Sequence, residues 1–136
     1  MECIFCQIIA GTIPSTRLYE DGKSLVFMDI NPATKGHCLV VPKRHAATLF
    51  DLDADEAGHL MQVSKRIATA VRDALKCDGL NLFQSNGRVA FQTVDHFHLH
   101  VIPRYSGDSI VLPWLPRAHD QNEIKATAAK IQALLA

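Results

Sequence analysis

The chain has 136 residues, with fourteen Lys plus Arg balancing fourteen Asp plus Glu, a formal charge of zero, 48% hydrophobic residues and 21% charged ones. That length makes one domain with a real core, and the even charge excludes long-range attraction to nucleic acid polymers or anionic membranes, which needs a surplus of cations on one face. No apolar run approaches the roughly 20 residues of a membrane span, and MECIFCQIIAG lacks the basic start and cleavage site of a secretory signal, so a cytoplasmic protein is expected.

In chain order, Ile4, Phe5, Ile8 and Ile9 before Gly11 predict a short helix with a glycine stop, and Pro14 closes the connection that follows. Thr16 to Glu20 and Leu25 to Asp29 read as strands joined at Asp21-Gly22, a dipeptide expected to supply the positive φ angles of a tight hairpin turn. A loop from Asn31 to Gly36 leads into a β-branched strand, His37 to Val41, halted by Pro42. Asp53 with Glu56 resembles a capping box, and Ala57, Leu60, Met61, Ser64, Ile67, Ala68, Val71 and Leu75 recur at helical spacing, predicting a long helix from Ala54 to Lys76. Leu80 to Gln84 is a further strand, Asn86-Gly87 a turn, and Phe97 to Arg104 the last strand. From Ser106 the chain carries Pro113 and Pro116 around Trp114 and reads as irregular. A final helix from Asn122 to Leu135 follows, with Ile124, Ala128, Ile131 and Leu135 on one face. Together these elements give an α+β fold in a single domain spanning residues 1–136. Its mainly antiparallel sheet carries one long helix, with short helices at either end.

Seven histidines stand out, and three of them fall in the run His96-Phe97-His98-Leu99-His100-Val101-Ile102. Side chains alternate along a strand, so His96, His98 and His100 share one face as a platform while Phe97, Leu99 and Val101 dock on the core. Three imidazoles titrating near neutrality on one face suit metal binding, acid/base work, or a nucleophile flanked by donors that hold an anion. A solvent-facing strand decorated with histidines is the bland alternative.

The His-x-His-x-His-hydrophobic pattern resembles the histidine triad (HIT) superfamily of nucleotide hydrolases and transferases. Other pieces fall where that family has them: Phe27-Met28-Asp29-Ile30-Asn31-Pro32, the stretch from Gly36 to His45, and Asn86-Gly87 before Gln92-Thr93-Val94. The likeness covers residues 1–105 and leaves 106–136 as a variable tail. It implies nucleotidyl transfer at the α-phosphate of a purine nucleoside phosphoramidate or related conjugate. His98 would be the nucleophile and a nucleotidyl-histidine the intermediate, with the other His98 nitrogen donating to a fixed acceptor. His100 would donate to the phosphate oxygens, and His37 would complete the set that orients His96. Asp29 would hold the ribose; Phe5, Ile8, Phe27 and Ile30 would form the slot for the base, though core packing is the other reading of these four. Asn86, Gln92 and Thr93 would meet phosphate or leaving group. Where many relatives have Ala-Gly-Gln, this chain has Ala90-Phe91-Gln92, which makes the leaving-group side narrower or more apolar.

Cys3-Ile4-Phe5-Cys6 has the two-residue gap that lets two thiolates reach one metal, and a tetrahedral site needs two more ligands. The resemblance implies a structural zinc completed by His45 and His96; buried thiols and a redox pair are the alternatives. Cys38 and Cys77, like the other two cysteines, are expected as thiols or metal ligands rather than a disulfide framework, and His59 and His119 as ordinary polar residues. The resemblance also implies a homodimer joined through the long helix and a sheet edge. Two other functions stay open: cleavage of dinucleoside polyphosphates, which the segment from Arg104 to Asp108 favours, and a nucleotide-binding regulatory module with incidental turnover. A zinc-stabilised interaction protein is a further class.

Overall fold

The computed structural model describes residues 3–135. In chain order it comprises α1 (Ile4–Ala10), β1 (Arg17–Glu20), β2 (Ser24–Met28), β3 (Cys38–Pro42), α2 (Ala54–Leu75), β4 (Gly79–Phe83), β5 (Leu99–Arg104) and α3 (Gln121–Leu135), with single 3-10 turns at Leu49–Asp51 and Arg88–Ala90. The five strands form one antiparallel sheet in the order β1-β2-β3-β5-β4, with short links only from β1 to β2 and from β2 to β3. The expected α+β architecture is therefore present, and the strand that follows the first two histidines lies inside the sheet, paired on both sides.

Each face of the sheet has its own core. On one, Val26, Cys38, Val40, Phe97, Leu99 and Val101 pack against Leu60, Val63 and Ile67 of α2. On the other, Leu25, Phe27, Leu39 and Val41 pack against Phe5 and Ile8 of α1. β2 and β3 are consequently buried almost throughout, which is why they read as continuous apolar runs. Burial pushes the Cys38 thiol up to about 11, so it packs as a neutral apolar group.

Local chemistry accounts for the element ends. The capping box of α2 is complete: Glu56 N–H donates to Asp53 Oδ1 at 2.8 Å and Asp53 N–H to Glu56 Oε1 at 3.1 Å. Lys76, in the left-handed region at φ 53°, ends that helix one residue earlier than expected. Gly11, at φ 83°, ends α1 as expected, and the Arg17 guanidinium donates to the Ile8 and Ile9 carbonyls at 2.7 and 3.2 Å.

Three expectations need correction. The β1–β2 turn does not use a positive φ at Gly22; the Asp21 carboxylate makes it by accepting from Lys23 N–H at 2.8 Å and Ser24 N–H at 2.7 Å, an Asx-type turn. The β5 ladder begins at Leu99, because His96 spends its ring and its carbonyl on other partners, described below. The histidine face is no open platform either, since α1 covers it. His96 is fully buried and His98 is 5% exposed.

α3 forms over nearly the expected range but buries none of its residues, leaving Ile124, Ile131 and Leu135 exposed. At the end of β5, Arg104 forms a two-pronged ion pair with Asp108 at 2.6 and 2.8 Å. That pair closes a turn, so the charges of the segment are spent on each other. Among the described residues, no helix is long and apolar enough to cross a membrane.

Candidate active site and metal-ligand cluster

Four histidines hold fixed proton positions because each ring is bonded to a group whose role is already set. The His96 carbonyl can only accept, so His98 carries its proton on Nδ1 and donates it there at 2.7 Å. The Nε2 lone pair of His98 is thereby left free, the arrangement a nucleophile requires. Ala33 N–H can only donate, so His37 Nδ1, at 2.9 Å, is an acceptor and the proton sits on Nε2. His37 Nε2–H then donates to His100 Nδ1 at 2.8 Å, which places the remaining proton of His100 on Nε2. His100 can thus present a donor to an anion while staying neutral.

Burial favours the neutral form of all four rings. It lowers His98, His37 and His96 below the ordinary imidazole value and pushes His100 down to about 4, where the nearby His98 and His37 add to the effect. The Asp29 carboxylate opposes the shift at His37, His98 and His100; its Oδ2 lies 3.5 Å from His37 Nε2. The expected pairing of His37 with His96 is not found. The β3–β5 register sets Leu39 opposite His100, which brings neighbouring His37 to His100, whereas His96 lies beyond the end of that ladder.

His98 and His100 open into a cavity of about 340 Å³. Phe5, Ile8, Phe27, Asp29, Ile30 and Thr93 line it, so six of the expected substrate-side residues come together with two of the triad. Phe5 stands edge-on to Phe27 and to His98, with ring centroids 5.5 and 5.1 Å apart. Its two readings, core and slot wall, are both satisfied: the ring is 7% exposed yet lines the cavity. Ile30, by contrast, is 86% exposed and forms only the rim.

Asn86 and Gln92 are not among the lining residues. Gln92 is buried and donates to the Ala47 and Val94 carbonyls at 2.6 and 3.0 Å while accepting from Gly87 N–H at 2.7 Å. Asn86 accepts from Leu49 N–H at 2.7 Å and is doubly bonded to Gln84. Both side chains brace the loop that delivers Thr93. Phe91, in that same loop, adopts φ 74° and ψ 20°, the left-handed conformation that glycine takes without cost. Leu39, Val94 and Ser15 also line the cavity and were not singled out from sequence. Leu39 and Val94 read as ordinary strand and loop residues; Ser15 follows Pro14 with no motif of its own. The Ser15 hydroxyl is buried with no hydrogen-bond partner among the described residues.

Behind the triad, Cys3, Cys6, His45 and His96 offer ligand atoms that all lie within 4.8 Å of one another. His96 donates its Nε2–H to the Pro42 carbonyl at 2.8 Å, which turns the Nδ1 lone pair toward the cluster. From that atom Cys3 Sγ, Cys6 Sγ and His45 Nδ1 stand at 3.4, 3.6 and 3.2 Å, and Cys6 Sγ is 3.4 Å from His45 Nδ1. A tetrahedral zinc with ordinary bond lengths has S···N edges of about 3.6 Å and N···N edges of about 3.3 Å. The donor set therefore fits that metal in kind and spacing. Burial raises the Cys6 thiol, and the neighbouring Cys3 raises it further, a conflict that a bound cation relieves.

The HIT domain family pattern matches residues 10–107 of the chain. An adenosine 5'-monophosphoramidase of Schizosaccharomyces pombe is 38% identical over 134 residues, covering 98% of each chain. The crystal structure of a HIT family member from Bacillus subtilis superposes with a TM-score of 0.94 at 39% identity, covering 100% of this chain and 99% of that one. A zinc-bound histidine triad family protein from Mycobacterium smegmatis is 40% identical with a TM-score of 0.77, covering 98% of both.

Proposed function

The chain belongs to the HIT domain family, and from that premise we propose that it is a cytoplasmic nucleotide hydrolase acting at the α-phosphate of purine nucleoside phosphoramidates through His98. The observation that carries the reading is the fixed proton of His98: with Nδ1–H given to the His96 carbonyl at 2.7 Å, the Nε2 lone pair is available in a ring that burial keeps neutral.

In the first step Nε2 attacks phosphorus, the bond from phosphorus to the amine nitrogen breaks, and the amine leaves with a proton from solvent. Negative charge on the non-bridging oxygens is met by His100 Nε2–H, whose position the chain from Ala33 through His37 dictates. In the second step water attacks the same phosphorus, the bond to Nε2 breaks, and the nucleoside monophosphate is released. Asp29 supplies a carboxylate at the cavity wall for the ribose hydroxyls; Phe5, Ile8 and Phe27 supply apolar surface for the base, with Ile30 at the rim. Thr93, at the cavity wall, would meet the phosphate or leaving group, with Gln92 and Asn86 holding its loop in place.

Cys3, Cys6, His45 and His96 would hold a structural zinc, whose four protein ligands leave no position for water. A homodimer would form through α2 and the β4 edge, where Met61, Leu82 and Phe83 are exposed beside unpaired backbone. Dinucleoside polyphosphate cleavage finds no support at Arg104, since its guanidinium is committed to Asp108.

The test is mass spectrometry after mixing with an activated adenylate. A nucleotidyl adduct on His98 is expected, absent in His98→Ala; a folded protein that forms none at any pH refutes the proposal.

A further inference from the structure

His96 is the only described residue that belongs both to the metal-ligand cluster and to the triad, and its two ends face different tasks. Its Nδ1 points into the cluster, and its backbone carbonyl accepts the Nδ1–H of His98 at 2.7 Å. The cluster reaches the cavity by a second route as well. Cys3 and Cys6 bracket Phe5, whose ring stands edge-on to His96 at 5.9 Å and to His98 at 5.1 Å and forms part of the cavity wall.

α1 has seven residues, too few to persist on its own. Its C-terminal end is tied down by Arg17, which donates to the Ile8 and Ile9 carbonyls. At the other end, the Cys3 thiol accepts from Cys6 N–H at 3.4 Å, and both sulfurs lie against His96. The N-terminal turn of α1 is held by the core packing of Phe5 and, at its start, by the cluster, whose two sulfurs flank that residue.

We propose that Cys3, Cys6 and His45 are positioning residues for the reaction: zinc held between them and His96 fixes Phe5 as the wall of the base slot and fixes the carbonyl that sets the proton position of His98. The inference rests on the nucleotide reading above and deepens it, because the cluster then acts on substrate affinity and on the nucleophile as well as on fold stability. Partners that orient a reacting or ligating group commonly change metal affinity or activity by about 10–100-fold when removed.

The experiment compares the zinc-loaded protein with protein stripped by a chelator under native conditions, with metal content measured in both. Calorimetry with adenosine monophosphate reads the slot, and the imidazole nitrogen-15 spectrum of His98 reads its tautomer. The expected result is an unchanged far-ultraviolet circular dichroism spectrum, adenosine monophosphate bound about tenfold more weakly, and His98 passing from a single Nδ1–H tautomer to a mixture; zinc restores both. Cys6→Ser should resemble stripped protein, and Cys6→His, which keeps a ligand, should resemble loaded protein. Phe5→Ala should weaken binding in loaded protein, with little further loss on stripping, since both changes act on the same wall. Equal affinity and an equal tautomer pattern with and without zinc overturn the inference. So does a protein that takes up no zinc, or one that unfolds when stripped, which makes the cluster a staple for the whole fold. Failure of the loaded protein to bind adenosine monophosphate refutes the nucleotide reading, while the tautomer comparison still decides the role of the cluster.

Discussion

Replacing His100 with Asn should flatten the acid end of the stability curve. Burial, reinforced by the neighbouring His98 and His37, lowers the His100 ring from the ordinary 6.5 to about 4. The folded state thus prefers the neutral ring, and the unfolded chain binds a proton that the native protein refuses. His100 therefore contributes its full share of stability above pH 6.5. That share is lost as pH falls from about 6.5 to about 4, where it levels off. At 1.36 kcal/mol for each tenfold change in proton affinity, the gap bounds the effect at about 3.4 kcal/mol. The ring is only partly buried, and solvent screening reduces that bound to about 1–2 kcal/mol. Asn keeps an acceptor where His100 Nδ1 takes the proton of His37, but it cannot titrate. Urea unfolding at pH 7.5, 5.5 and 4.5, with wild type and His100→Asn side by side, isolates this group from the other buried histidines, which the two proteins share. Wild type should lose about 1–2 kcal/mol more than the variant between the first and last pH. Parallel curves, agreeing within about 0.5 kcal/mol, would place a protonated His100 in the native state and refute the neutral relay.

Gln92→Leu should destabilise the fold by about 2–4 kcal/mol in denaturant titrations, because two carbonyls and one N–H lose their partner in a buried place. Gly36→Ala should cost about 2 kcal/mol or more by the same measurement: the residue sits at φ 97°, and its Cβ would run into Leu75 at the end of α2. His59→Ala breaks a 2.9 Å contact with Asp21 at a partly exposed position, so thermal unfolding should shift by less than about 1 kcal/mol with no change in nucleotide binding.

How much of this was legible in the sequence depended on how local the cause was. The capping box at Asp53, the glycine stop at Gly11 and the alternation of Phe97, Leu99 and Val101 are set by residues close in the chain, and they read correctly. Gly22 did not, because a side-chain acceptor at Asp21 satisfied the turn before a positive φ was needed. The pairing of His37 with His100 depends on the β3–β5 register, which no local pattern reveals. Gln92 illustrates the same limit in reverse: the family resemblance implied a substrate-facing side chain, yet its amide closes its own turn at Gly87 and reaches Ala47, a partner 45 residues away that no local pattern reveals. The tie between His59 and the β1–β2 turn likewise arises only when α2 lies across the sheet. The apolar stripe on α3 was legible, but its burial was not, since exposure is a property of neighbours rather than of spacing.

The sheet order also sets a schedule for synthesis. β3 can pair with β2 once both have left the ribosome, but its other edge waits for β5, whose Leu99 meets Val40 nearly sixty residues later. At about 5–20 residues per second, that edge stays unpaired for roughly 3–12 seconds, offering a row of apolar residues and free backbone groups to any passing strand. α2 emerges in the interval and can shelter one face of β3, though not its rim. The strand that follows His98 is therefore also the one that covers the open edge of β3, so a ribosome stalled before it would leave a chain prone to aggregate.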